Sequence, residues 1–134
     1  MRIAFTHATL NGLYVLAADL TNACLQVPSL ENHFITCGLE FGLENVGKRD
    51  IIRKALYGGK TSDRDFHTHL RYCMLRLNFK PLLANPDVWM CPATKSDGNG
   101  HYEYGMLYAE DALVVSENSE SILRDELGKC FELK

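Results

Sequence analysis

Glu-Tyr-Gly-Met-Leu-Tyr-Ala-Glu-Asp-Ala-Leu-Val-Val-Ser, residues 103–116, is the stretch from which the rest of the fold follows. Apolar and β-favouring residues run up to Tyr108, two acids stand at Glu110 and Asp111, and a second apolar run fills 112–115. Two such runs separated by a short polar step are typical of a β-hairpin. The stretch therefore predicts two short strands joined by a tight acidic turn.

A further carboxylate comes at the end of an earlier strand. Leu-Tyr-Val-Leu-Ala-Ala-Asp, residues 13–19, has the composition of a buried strand and ends in Asp19. Taken singly, such an Asp is usually a turn-former or a helix N-cap, and an acidic hairpin tip is usually an ordinary surface turn. If the strand pairs beside the hairpin, Asp19, Glu110 and Asp111 converge. Solvent or a divalent cation then offsets their repulsion, and three carboxylates suit Mg²⁺ or Mn²⁺ rather than zinc.

Length and composition are those of an ordinary globular protein. The chain has 134 residues, enough for one domain with a modest core, and 46% of them are hydrophobic. No apolar run is long enough to span a membrane, and polar Thr6 and His7 come too early for a signal peptide. Five cysteines without a Cys-x-x-Cys pair argue against a zinc finger and a complete disulfide framework, so we expect most to be small buried residues.

The charge of the chain provides evidence both against and for nucleic-acid binding. The net charge of −3 has the wrong sign for a stand-alone nucleic-acid binder, because phosphate contacts need clustered basic residues. Basic residues are nevertheless concentrated in the middle of the chain, at Lys48, Arg49, Arg53, Lys54, Lys60 and Arg64. This stretch is either a solvated charged face or a nucleic-acid surface, and both interpretations remain open.

The remaining pattern predicts an α+β fold. A helix is expected to end near Asn11, and the clearest later helices are 62–77 and 119–131, each with apolar residues at helical spacing. The predicted strands are 13–19, 33–37, 50–54, 88–91, 102–108 and 112–116. We therefore expect an antiparallel sheet with two amphipathic helices packed on one face.

Several motifs resemble the copia-type retrotransposon reverse transcriptases. Tyr108-Ala109-Glu110-Asp111 looks like a variant of the Tyr-x-Asp-Asp box, and Asp-Leu-Thr-Asn-Ala-Cys-Leu at 19–25 resembles the preceding catalytic box. Ala-Leu-Tyr-Gly-Gly-Lys-Thr-Ser-Asp-Arg-Asp-Phe at 55–66 is similar to that family's Ala-Leu-Tyr-Gly-Leu-Lys-Gln-Ser-Pro-Arg-Ala-Trp stretch. Related residues also follow in the family's order at 79–80, 87–89 and 131–134, so the resemblance covers nearly the whole chain.

The resemblance implies a single partial reverse transcriptase domain over residues 1–134, with a fingers remnant and the polymerase palm but no thumb. It implies RNA-directed DNA synthesis by two-metal nucleotidyl transfer, with Mg²⁺ or Mn²⁺ as cofactor. Asp19, Glu110 and Asp111 would be the catalytic carboxylates and metal ligands, and the backbone carbonyl of Leu20 would be a further ligand.

The same resemblance assigns nucleotide and nucleic-acid contacts. Gly58 and Lys60 match the turn that approaches the incoming deoxynucleoside triphosphate, and Cys24 stands where relatives carry an aromatic residue that blocks the ribose 2′-hydroxyl. Arg53, Lys54 and Arg64 would contact the RNA or DNA template-primer. The resemblance also implies that the chain is part of a larger polyprotein and has an intracellular location, in the cytoplasm or a virus-like particle. From the lack of a long apolar run we expect no membrane partner.

Departures from the family's pattern predict impaired activity. Glu110 replaces the first Asp of the box, and a misplacement of about 1 Å at a reacting centre can cost roughly a hundredfold in rate. Cys24 removes the aromatic gate, Thr61 replaces Gln, and Asp63 and Asp65 add negative charge beside the expected path of a phosphate backbone. We expect weak or no activity from the chain alone. The alternative is a non-catalytic nucleic-acid-binding or inert remnant of a decayed element.

Overall fold

The computed structural model describes residues 2–134 and has an α+β fold with antiparallel sheets, as predicted. The strands are β1 (Tyr14–Asp19), β2 (Pro28–Thr36), β3 (Arg49–Lys54), β4 (Lys80–Pro81), β5 (Val88–Thr94), β6 (Gly100–Tyr108) and β7 (Asp111–Ser116). The helices are α1 (Arg2–Asn11), α2 (Ala23–Gln26), α3 (Ser62–Arg76) and α4 (Ser119–Ser121). Met1, the first residue of the predicted N-terminal helix, lies outside the described residues.

Two compact units make up the chain. The first combines the residues up to Ala23 with Leu70–Lys134, and the second is Cys24–His69. The first unit contains a five-stranded antiparallel sheet in the order β1-β7-β6-β5-β4, and the second contains the two-stranded sheet β2-β3. The α3 helix contributes residues to both units.

The predicted hairpin is formed by β6 and β7. Tyr108 pairs with Asp111, so the turn consists of Ala109 and Glu110, and Asp111 is the first residue of β7. Ala109 has a φ of +50°, a left-handed conformation that short turns often require. Strand β1 pairs antiparallel with β7 along its whole length, which confirms that the 13–19 stretch lies beside the hairpin.

The two faces of this sheet are covered by different elements. Because side chains alternate along a strand, Val15 and Val115 share one face, and α1 packs there through Ala8 in a cluster with Leu13. The opposite face holds the buried side chains of Trp89, Leu107, Ala112 and Val114. On that face Met74 of α3 lies against Gly105, with its Cε 3.0 Å from the position that a Cβ would occupy. The prediction of helices on one face therefore omitted α1, which covers part of the other face.

The predicted helix at 119–131 is a chain of short helical turns. One α-helical turn at Ser119–Ser121 leads into a wider π-helical turn at Ile122–Glu126 and a 3₁₀ turn at Leu127–Lys129. Leu123, Leu127 and Phe131 are buried, as the apolar spacing predicted. Gly128 weakens a regular helix at this point, because glycine costs about 1 kcal/mol relative to alanine in a helix interior.

The second unit is organised by a short ribbon. Phe34 pairs with Ile51 and Thr36 with Arg49, and β2 carries an irregularity between Pro28 and His33. Strand β2 therefore starts five residues earlier than the predicted 33–37. The residues that follow β2 form two 3₁₀ turns at Leu39–Phe41 and Leu43–Asn45.

The structure also tests the predicted burial of the cysteines and describes whether any helix could span a membrane. Within residues 2–134 no cysteine forms a disulfide; Cys37 and Cys73 are buried, and the other three are partly exposed. The prediction that most of the cysteines are buried is therefore wrong, since only two of the five are. Across residues 2–134, no helix is both long enough and apolar enough to cross a membrane.

Candidate metal centre

Two of the predicted carboxylates meet across β1 and β7. Asp19 and Asp111 are direct cross-strand partners, so their side chains project from the same face, and both residues are exposed. The Asp19 N–H donates to the Lys134 carbonyl at 3.1 Å, and the Lys134 N–H donates to the Asp19 carbonyl at 2.9 Å. Since these bonds point away from β7, Asp19 and Asp111 form a non-hydrogen-bonded pair. In such pairs the Cα atoms are about 4.5 Å apart and the side chains are closest.

The electrostatic consequence is a local concentration of negative charge. Like charges directly opposite each other in a sheet are destabilising by roughly 0.2–1 kcal/mol. Among residues 2–134, no lysine, arginine or histidine forms an ion pair with Asp19 or Asp111. Solvent or an added cation must therefore screen this pair.

Glu110 occupies a different position from the other two acids. It lies in the hairpin turn, is half-buried, and accepts a hydrogen bond at its backbone carbonyl from the Leu20 N–H at 2.6 Å. Leu20 is itself fully buried, so this bond fixes the turn to the end of β1. Within residues 2–134, no three His, Cys, Asp or Glu side chains are grouped so that they could hold a metal ion.

The donor chemistry at this place suits a hard divalent cation, because carboxylate oxygens are the ligands of Mg²⁺ and Mn²⁺. The geometry supplies Asp19 and Asp111 as a pair, with Glu110 beside them in the turn. The fit is thus partial: two of the three predicted ligands share one face, and the third does not join them in a three-ligand group.

The C-terminal residues brace this site, which the sequence did not predict. Besides the two bonds between Asp19 and Lys134, the Thr21 N–H donates to the Glu132 carbonyl at 3.0 Å, and Leu20 forms an isolated bridge with Leu133. This backbone pairing holds the end of β1 on the side opposite to β7. Nothing in the composition of the C-terminal residues indicates which strand they join.

The predicted nucleotide-binding residues belong to the second unit. The Gly59 N–H donates to the Leu56 carbonyl at 2.8 Å, and Gly58 between them has a φ of +74°. A positive φ at this position is typical of a type II turn, which explains the glycine without a ligand. Lys60 follows the turn and is exposed, while Cys24 is partly exposed.

The three side chains predicted to contact nucleic acid differ in the ion pairs and hydrogen bonds that they already form. Arg64 forms ion pairs with Glu31 at 2.9 Å and Asp65 at 3.2 Å, and hydrogen bonding to these carboxylates, first to Glu31, raises the pKa of Arg64. The Lys54 ammonium donates to the Gln26 carbonyl at 3.0 Å. Arg53 is exposed, and no ion pair engages it within residues 2–134.

Asp65, which was expected to be exposed beside a phosphate backbone, is buried. It is only 1% exposed, and its carboxylate accepts hydrogen bonds from the Leu30 N–H at 3.1 Å and the Thr61 hydroxyl at 3.5 Å. Burial pushes the pKa of Asp65 upward, but the Leu30 hydrogen bond and the Arg64 guanidinium outweigh it and hold the pKa below its usual value. Asp65 therefore joins β2 to the start of α3, whereas the Asp63 side chain is 93% exposed.

Comparison with known proteins adds no family assignment. A scan against protein-family models finds no match, and searches of curated proteins and of solved structures find none either. The resemblance to copia-type reverse transcriptases therefore stands on the motifs quoted from the sequence.

Proposed function

We propose that the chain is a palm and partial-fingers fragment of a copia-type reverse transcriptase whose nucleotidyl-transfer centre is impaired. The observation that carries the proposal is the cross-strand pairing of Asp19 with Asp111. These residues come from the two stretches that resemble the family's two catalytic boxes. Residues far apart in sequence thus become direct neighbours at the position where the resemblance expects a shared site.

The local structure is suited to holding a cation. Both carboxylates are exposed on one face; the Asp19 backbone is bonded to Lys134, and the next residue, Leu20, donates its N–H to the Glu110 carbonyl of the hairpin turn. A divalent cation bound there supplies positive charge that offsets the repulsion and lowers the pKa of an attacking hydroxyl. The contribution of the chain is to keep two acceptor groups close together and open to substrate.

Glu110 is the reason to expect weak activity. Its side chain is one methylene longer than the Asp of the family's box, and it lies in the turn without completing a three-ligand group in the described chain. A reacting group displaced by about 1 Å can cost roughly a hundredfold in rate. The incomplete ligand set also favours the alternative, a non-catalytic nucleic-acid-binding or inert remnant, for which exposed Arg53 is the freest of the three predicted contacts.

Metal titration followed by thermal unfolding distinguishes these functions. A ligand that binds only the folded state stabilises it by about 2.7 kcal/mol at a hundred times its Kd. For a chain of this size that corresponds to a rise in Tm of roughly 10 °C. We expect Mg²⁺ or Mn²⁺ to raise the Tm of the unaltered chain, and Asp19→Asn and Asp111→Asn each to abolish the rise. Asp125→Asn, which removes an exposed carboxylate elsewhere in the first unit, is the matched control.

The Glu110→Asp variant tests the reason for impairment. Restoring the shorter side chain should increase the metal-dependent rise in Tm and the rate of primer extension, with both gains lost in the Glu110→Asp, Asp19→Asn double variant. Equal responses in the Asp19→Asn variant and the unaltered chain would exclude a metal centre at this pair. Robust primer extension by the unaltered chain would show that Glu110 does not impair it.

A further inference from the structure

Strand β1 forms one edge of the five-stranded sheet, and within the described residues 2–134 part of this edge carries no further strand. Asp19 and Thr21 bond to the C-terminal residues on the side away from β7. Hydrogen-bonding direction alternates along an antiparallel strand, so the N–H and C=O groups of Val15 and Ala17 also point away from β7. Within residues 2–134 no backbone group bonds to them.

This free edge lacks the usual protection. Natural sheets guard exposed edges with charged residues, prolines or bulges. The sequence from Val15 to Ala18 is Val-Leu-Ala-Ala, and its pairing with β7 is continuous. Leu16 is 38% exposed and Tyr14 is 70% exposed. The edge is therefore an apolar, unguarded template for another extended segment.

A groove of about 580 Å³ runs beside the free edge. Tyr14 and Leu16 line its strand side, and the opposite wall is the segment that contains α4. The Ser119 hydroxyl donates to the Tyr14 carbonyl at 2.8 Å on the side of β1 that faces β7, so this bond leaves the outer edge open. Lys134 occupies the outer edge at Asp19, and at about 3.4 Å per residue the remainder of β1 accepts a strand of roughly four to six residues.

The wall of the groove is acidic. It carries the carboxylates of Glu117, Glu120 and Asp125. Hydrogen bonds from the Ser96 side chain and backbone lower the pKa of Glu117, so this group is ionised at neutral pH. Glu120 forms an ion pair with Arg124 at 3.0 Å, which offsets one charge and leaves a net negative wall.

We propose that the free edge of β1 receives an extended basic segment of a partner protein as an added antiparallel strand. The antiparallel direction is the one that Glu132–Lys134 already adopts against the same edge. Side chains of the added strand that stand opposite Tyr14 and Leu16 project over the groove. Lysine or arginine at these alternate positions lays its aliphatic stem on Leu16 and its charge near Glu120 and Asp125.

Fluorescence anisotropy of the full chain with labelled six-residue peptides tests this inference. The probe alternates lysine with valine or threonine and is blocked at both ends. Its first matched control is N-methylated at the alternate amides that would bond to Val15 and Ala17, and its second replaces each lysine with glutamate. We expect saturable binding of the basic probe, weakened at least tenfold by either change. Equal binding of either control peptide overturns the proposal.

Variants of the chain locate the binding site. Ala17→Pro removes one outward N–H without touching the β1–β7 bonds, and proline is tolerated on an edge strand in this orientation. It should weaken probe binding at least tenfold, and Glu120→Gln with Asp125→Asn should weaken it several-fold and flatten its salt dependence. Unchanged binding in either variant overturns the inference. A dimer in sedimentation that Ala17→Pro dissociates also overturns the inference, because a second copy of the chain would then cover the edge. If Ala17→Pro does not fold, the comparison of the basic probe with its two control peptides decides the outcome.

Discussion

The Asp65 carboxylate should be a principal stabilising contact of the second unit. Asp65→Ala removes a charged acceptor from the Leu30 N–H, a type of hydrogen bond that contributes about 1.5–3 kcal/mol. It also removes the contact with Arg64, whose side chain is 54% exposed, so solvent limits this ion pair to about 0.2–1 kcal/mol. Together these losses predict destabilisation by about 2–4 kcal/mol. Asp65→Asn, which keeps an acceptor oxygen without the charge, should lose roughly half as much.

Urea unfolding and amide hydrogen exchange measure this effect. The urea midpoint should fall in Asp65→Ala with little change in slope, and the Leu30 amide should lose protection from exchange. Asp63→Ala is the matched control, since it removes a carboxylate of the same helix whose side chain is 93% exposed, and surface changes of this kind stay within about 0.5 kcal/mol. Equal midpoints for Asp65→Ala and Asp63→Ala would refute the assignment of stability to the buried carboxylate.

The pH dependence gives a separate check on the charge. The pKa of Asp65 is lowered in the folded state, so its ionisation stabilises the fold above the unfolded value, about 3.9, and this contribution is lost as pH falls through the lower folded pKa. The difference in stability between the unaltered chain and Asp65→Asn should therefore be full at neutral pH and shrink in acid. A difference that persists below the folded pKa would mean that the hydrogen-bond geometry, not the charge, is responsible.

Three further predictions concern the first unit. Gly105→Ala should destabilise by about 1–3 kcal/mol in thermal unfolding, because the new Cβ would lie 3.0 Å from the Met74 Cε; no change in Tm would show that Met74 moves aside without cost. In chelator, Asp19→Asn should stabilise by about 0.2–1 kcal/mol by removing like-charge repulsion from Asp111, and a destabilised variant would contradict that repulsion. Burial is the larger cause, and hydrogen bonding to a neighbouring thiol the smaller one, that raises the pKa of Cys73 to about 12. Because the reactive thiolate is scarce at pH 8, Cys73→Ser should leave the fast phase of thiol labelling unchanged, and loss of a fast-reacting thiol would refute this.

Local alternation was enough to predict the hairpin and its neighbour. The strand pattern of 103–116 and the apolar run at 13–19 each depend on residues close in sequence, and the structure has all three strands within a residue or two of the predicted bounds. The convergence of Asp19 with Asp111 followed once β1 was placed beside β7. Periodicity therefore predicted the strands, whereas the pairing of β1 with β7, on which the meeting of Asp19 and Asp111 depends, was only a condition.

Contacts between distant segments were beyond this reasoning. The bonds from Asp19 to Lys134 join two chain positions that share no complementary pattern, and Asp65 carries the residue type of an exposed first-turn acid although it is buried. Asp63 and Asp65 have the same side chain and nearly the same sequence context. Their different fates are decided by which of them meets the Leu30 N–H, and that is a property of the packed unit.

For the metal centre that we propose, the arrangement around Asp19 assigns the impairment to the side chain at position 110. The backbone of Asp19 is bonded to Lys134, and the turn that carries Glu110 is bonded to the neighbouring residue Leu20. A site that had lost its supporting structure would be expected to lose this pairing as well. Among the three proposed carboxylate ligands, only Glu110 departs in length from the residue that the resemblance expects. Glu110→Asp is therefore the substitution that tests the proposed centre: a gain in metal response supports an impaired polymerase centre, and no gain supports a surface that only retains its acids.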